Sequence, residues 1–155
     1  MIKLKDILLE NSNVGGLRIM TTSQLGITTV YRTEQADEFF KGKAIWGTGK
    51  YYSLSKKDVG NISKDGTYKE YSVKPMKVAV ADMSYNSPLP VKTPKRPVDW
   101  DTHDDFINLH QMIEKGDLSK VLKGVDGLVI YTPSLQYAFS QLVVFPKAQN
   151  KVIEK

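Results

Sequence analysis

Apolar positions along the chain fall into two rhythms, one of helical spacing and one of alternation. Leu4, Ile7 and Leu8, with Leu9 beside them, take the helical spacing across residues 3 to 9. Asn11 to Gly16 (NSNVGG) then reads as a flexible break. Two β-leaning runs follow, Leu17–Met20 and Ile27–Tyr31. Thr33 suits the cap of a helix across Glu34 to Phe40, with acids in its early turns and Gly42 as its stop. Lys50 to Leu54 (KYYSL) is an aromatic-rich strand, and the polar residues 55 to 67 suit a loop or an irregular helix. In Tyr71 to Asp82 the alternation of Met76, Val78 and Val80 places those side chains on one face of a strand. Ser84 to Asp99 holds four of the seven prolines and reads as an extended loop. The clearest helix starts at Asp101 or Thr102, with Asp104 and Asp105 favouring its positive end. It shows one stripe of Phe106, Leu109, Met112 and Ile113, and closes at Lys115-Gly116. A shorter helix runs from Asp117, as cap, to Gly124, and strands return at Gly127–Tyr131 and Phe139–Phe145. No internal repeat is visible, and this mixed order fits an α+β fold better than regular βαβ alternation.

Composition narrows the class. The chain has 155 residues, about one domain, with 41% hydrophobic and 25% charged residues, which is globular usage. It has no cysteine, which excludes disulfides and thiolate metal sites and leans toward a reducing compartment. No run approaches the roughly eighteen apolar residues of a membrane span. Met1 to Glu10 is too short, and too acidic at its end, for a secretory signal. The net charge of +5 comes from 22 basic and 17 acidic residues, with Lys92, Lys95 and Arg96 grouped between prolines. Such an excess ordinarily marks a solvated surface and is also compatible with nucleic acid or an anionic cofactor.

Several motifs fail on their spacing. Gly47-Thr48-Gly49-Lys50 is not a Walker loop, because Ala44 stands where that loop needs glycine and Tyr51 where it needs Ser or Thr. As a glycine-flanked turn it still suits an anion. His103 and His110 are seven apart without a third ligand, so no metal site is expected. There is no nucleophile elbow and no HExxH pattern, and Trp46 and Trp100 read as packing residues.

Three separated segments carry more. Thr29-Val-Tyr-Arg32 is a strand ending in Tyr-Arg; Gly49-Lys-Tyr-Tyr-Ser53 is a glycine, aromatic, hydroxyl strand. Val125 to Tyr131, with Ser140-Gln-Leu-Val-Val-Phe145 and Ala148-Gln149, is a terminal strand pair. In this order the three resemble the ADP-ribosyltransferase superfamily over residues 27 to 153, and Tyr68 to Asp82 resembles the strand that crosses between them. The resemblance implies an α+β domain over 17–155 with a split β-sheet sandwich and flanking helices, binding NAD. It puts Arg32, with Thr33 beside it, at the NAD phosphate or ribose, a contact that suits a guanidinium. It places Tyr51 on the nicotinamide, Gly49 close to the nicotinamide amide and Ser53 as a brace.

The same match places Gln141 at the catalytic glutamate position. Cleavage of the nicotinamide–ribose bond builds cationic character on the sugar, and a glutamate there would accept a ribose hydroxyl and supply negative charge. Gln141 keeps the acceptor and lacks the charge. Phe139 stands two residues earlier, where arginine-modifying relatives are often polar. Leu8-Leu9-Glu10 and the flexible Asn11-Ser12 give residues 1–12 a likeness to the capsid-targeting leaders of tailed phages, some of which package ADP-ribosyltransferases; an ordinary leader helix is the other reading. The expectation is therefore a monomeric mono-ADP-ribosyltransferase-like protein, weakened by Gln141. It would act in the cytoplasm of a bacterial host, as a phage virion protein, on a host protein or nucleic-acid acceptor and not on a membrane. The alternatives are a non-catalytic virion or host-interaction protein that keeps the fold, and a nucleic-acid binder using the Lys92–Arg96 loop.

Overall fold

A strand covered on both faces carries apolar residues at consecutive positions rather than alternate ones. Lys77–Asp82 (KVAVAD), Gly127–Tyr131 (GLVIY) and Gln141–Val144 (QLVV) do so, and apart from Lys77 every position in them is buried. They are the centre of the fold. The computed structural model describes residues 13–33, 46–57, 59, 67–82, 104–131 and 140–155. Within these the strands, in chain order, are β1 (Asn13–Val14), β2 (Leu17–Thr21), β3 (Thr29–Arg32), β4 (Lys50–Ser53), β5 (Lys69–Val73), β6 (Lys77–Asp82), β7 (Gly127–Tyr131), β8 (Gln141–Val144) and β9 (Val152–Glu154). Helix α1 (Asp104–Glu114), the single turn α2 (Leu118–Val121) and a 3-10 helix (Pro146–Lys151) complete them. The fold is α+β. The leader (residues 1–12), the helix expected after Thr33, the proline-rich loop with Lys92–Arg96, and His103 lie outside the described residues.

The strands form one mixed sheet in the order β1-β2-β6-β7-β8-β4-β3-β5-β9, with β6 and β7 parallel and the other pairs antiparallel. This sheet cannot be flat. β5 and β6 lie five places apart in it, about 24 Å at normal strand spacing. Only Lys74, Pro75 and Met76 join them, a reach of about 15 Å. Accumulated strand twist of roughly 20–25° per step turns the two regions across one another and lets the link close. The seam between them is narrow, a single registered pair, Tyr31↔Ser53, between β3 and β4. The halves remain one hydrogen-bonded sheet, rolled at that seam.

Rolling creates two cores. The inner one lies between the halves and joins Val78, Val80, Val129, Leu142 and Val144 to Val30, Tyr52, Val73 and Val152. The outer one packs Leu109 and Met112 of α1 and Leu118 of α2 on Ala79, Ala81, Leu128, Ile130, Val143 and Phe145. The helix stripe read from sequence is thus used as expected at Leu109, Met112 and the partly buried Ile113.

Three local expectations are corrected. Asn11–Gly16 is in part a hairpin. Val14 pairs with Leu17, and Gly15 and Gly16 both take positive φ (57° and 79°), which a two-residue loop matched to strand twist requires. Tyr71 to Asp82 is two strands, because Pro75 cannot donate to a ladder and Met76 turns inward at the corner. The β7–β8 pair, read as terminal, is followed by one more strand. Pro146 starts the 3-10 helix, which returns the chain as β9 to the edge of β5.

Candidate functional site

The three segments read as a constellation become neighbours: β3, β4 and β8 lie side by side in the sheet. Ser53 is registered with Tyr31 on one side and with Gln141 on the other, while Tyr51 is registered with Val143. Cross-strand partners share a face, so Tyr51, Ser53 and Gln141 belong to the outer face, where Tyr51 packs against the helix-side core. Arg32 stands on the other face. Its guanidinium carbon sits 5.9 Å from the centroid of the Tyr52 ring, which belongs to the inner core. From there Nη1 donates to the Tyr51 carbonyl oxygen (3.3 Å), across the place where the β3–β4 ladder stops. Arg32 therefore ties the strand ends together and does not join the outer-face group. Thr33, next along, is buried.

Gln141 is the unusual residue. It is 7% exposed and its Oε1 is buried without a hydrogen-bond partner. An orphaned buried carbonyl costs about 1–3 kcal/mol, and proteins keep such groups rarely. Ser53 does not relieve it. The Ser53 hydroxyl is turned away, donating to the Ser55 carbonyl (2.9 Å) and accepting from the Ser55 amide (3.2 Å). That local turn ends β4.

Tyr51 is pinned at its tip. Its hydroxyl donates to the Gly47 carbonyl (2.7 Å) and accepts from the Trp46 amide (3.0 Å). Burial pushes the phenol up to about 12, against the Trp46 hydrogen bond and with help from the Asp117 charge, so it stays protonated at any physiological pH. Tyr131, at the end of β7, is likewise raised to about 12 by burial and then by Asp82.

The Gly47–Gly49 turn holds an anion, one supplied by the chain itself. Asp117 accepts the Thr48 amide at Oδ1 (2.9 Å) and the Thr48 hydroxyl at Oδ2 (2.5 Å), and caps α2 through the Ser119 amide (3.0 Å). The Thr48 hydroxyl, then the Thr48 amide, hold this carboxyl far below the usual carboxylate range. Sequence reading found Asp117 as a cap and missed its second client, 69 residues away. A free phosphate would have to displace it. Gly49 is needed because β4 runs so close to β8 there that a Cβ would meet the Val144 carbonyl oxygen. This is a packing demand.

Among the described residues no group of three His, Cys, Asp or Glu side chains converges as a metal site, and no helix is long and apolar enough to cross a membrane. No known protein family, curated protein or solved structure matches this chain.

Proposed function

We propose that this chain is an NAD-binding domain of the ADP-ribosyltransferase type in which Gln141 occupies the position of the catalytic glutamate. One observation carries the reading. Three segments far apart in sequence lie on the adjacent strands β3, β4 and β8, with Ser53 registered against Gln141 and an unsatisfied acceptor on that glutamine. A sheet rolled at a one-pair seam also agrees with the split sandwich of that fold. Oε1 of Gln141 suits a ribose hydroxyl, since a donor brought there would satisfy a group the fold leaves unpaired. Tyr51, held at its hydroxyl, would offer its ring to the nicotinamide. Arg32 acts through the Tyr51 carbonyl, as a positioning residue that fixes β4 against β3, rather than by gripping phosphate.

NAD would supply the ADP-ribose and the nicotinamide leaving group. The protein would supply orientation and an uncharged acceptor. Without a carboxylate beside the sugar the electrostatic contribution to cleavage is missing, which commonly amounts to about 3–4 kcal/mol for one such group. Binding with slow transfer to a host macromolecule follows. The same glutamine favours, as the second reading, a host-interaction protein that binds NAD and transfers nothing.

The test is transfer of labelled ADP-ribose from NAD in bacterial lysate by wild type, Arg32→Ala and Gln141→Glu. Slow labelling by wild type, faster labelling by Gln141→Glu and loss with Arg32→Ala is the expected pattern. Labelling by Gln141→Glu alone selects the second reading. No label from any of the three, with no NAD binding, refutes both.

A further inference from the structure

Among the described residues, six lysines gather at one corner of the fold. At that corner the Asp126 amide donates to the Lys77 carbonyl (2.7 Å), the Phe145 amide to the Asp126 carbonyl (3.0 Å) and the Lys74 amide to the Lys151 carbonyl (2.8 Å). These bonds bring the β5–β6 link, the start of β7, the end of β8 and the 3-10 helix together. With them come Lys74, Lys77, Lys147 and Lys151, Lys123 from the turn before Asp126, and Lys50, registered with Val144 on β8. Five of the six are exposed, and Lys151 is half-buried. The carboxylate set among them, Asp126, is taken by Lys151 (3.0 Å). Asp117, the next acid along β4's side, is bound by Thr48 and Ser119. Away from the corner, Lys56 and Lys155 share Glu70, and Lys69 meets Glu154.

We propose that this corner is a docking surface for the phosphate backbone of duplex nucleic acid, bound without regard to base sequence. Lys74, Lys77, Lys123 and Lys147 are exposed, so the corner offers about four cations to the phosphates, which a duplex presents every ~3.4 Å on each strand. Its cations are all lysines, which meet phosphate as point charges and lack the planar fork with which arginine reads a base edge. An anionic membrane would be gripped better by apolar side chains beside the lysines. Of the large exposed apolar side chains among the described residues, Tyr68 and Ile107, ahead of β5 and on α1, lie away from the corner, and Ile153, two residues past Lys151, stands at its margin. This surface is independent of the NAD reading.

The experiment measures binding of the full chain to a fluorescent 20-bp duplex by anisotropy across a salt series. Four neutralised phosphates give a slope of log K against log salt of about −3.6. The pairs Lys74→Gln with Lys77→Gln, and Lys123→Gln with Lys147→Gln, each bring it to about −1.8. Lys56→Gln with Lys155→Gln, around Glu70 at the other end of β5, leaves it unchanged. Circular dichroism and thermal melting confirm that all variants fold. A wild-type slope shallower than about −1 overturns the proposal. So does an equal loss in the Lys56 and Lys155 pair, or binding of phosphatidylserine vesicles as tight as that of the duplex at the same salt.

Discussion

Replacing Gln141 by methionine should make the protein more stable. Methionine has the same unbranched length, so it fills the site without a large cavity, and it removes a carbonyl oxygen that is buried with no partner. Leaving such an acceptor unpaired costs about 1–3 kcal/mol, and the apolar side chain would also suit the surroundings that Val143 and Ile130 set on this face. With a urea dependence of about 2 kcal/mol/M, a gain near 2 kcal/mol moves the unfolding midpoint up by about 1 M. Gln141→Glu should move it down, because burial penalises the charged carboxylate. Equilibrium urea unfolding followed by tryptophan fluorescence reads both. A methionine variant that unfolds earlier than wild type would refute the reasoning, since Oε1 would then be satisfied in solution and not held in readiness. A stabilising change at the position proposed to touch ligand is also what a site kept at a cost in stability predicts.

Four more outcomes follow from the packing. Asp117→Ala removes a helix cap and both Thr48 bonds and should cost about 1–2 kcal/mol in thermal unfolding. The Asp117 carboxyl titrates lower in the folded chain than in the unfolded one. Its contribution is therefore complete above an unfolded value near 4 and is lost as pH falls below that; the wild-type stability curve should drop more steeply below about pH 4 than that of Asp117→Asn. Gly49→Ala drives a methyl into the Val144 carbonyl and should cost about 1–3 kcal/mol, with β4–β8 amides losing hydrogen-exchange protection. Leu142→Ala, in the inner core at 0% exposure, should cost about 2–5 kcal/mol by the same unfolding assay.

Local signals in the sequence located much of this fold. Gly127–Tyr131 is the strand read from its apolar run, and α1 follows the stripe of Leu109, Met112 and Ile113 to the Lys115-Gly116 stop. What stayed hidden depends on contacts distant in sequence. Nothing around Tyr71 to Asp82 says that two strands five places apart in the sheet meet at Pro75, because that is a property of the rolled sheet. β9 was missed because three residues against an edge carry little pattern of their own. At the site, sequence order brought Tyr51, Ser53 and Gln141 to one face, since a two-residue period fixes which side chains share it. The same period separates Arg32: one residue on from Tyr31, it sets its guanidinium over the Tyr52 ring of the inner core, which the Tyr-Arg motif alone does not reveal. The Asp117–Thr48 link was equally invisible, being a capping residue shared with a distant turn.

The central claim, that Gln141 offers its orphaned oxygen to NAD, is tested most directly by calorimetric titration of NAD into wild type and Gln141→Met. The account predicts binding by wild type and a loss of at least tenfold in affinity, about 1.4 kcal/mol, in a methionine variant that is folded and more stable. Equal binding by the two proteins, or no binding by wild type, would contradict it.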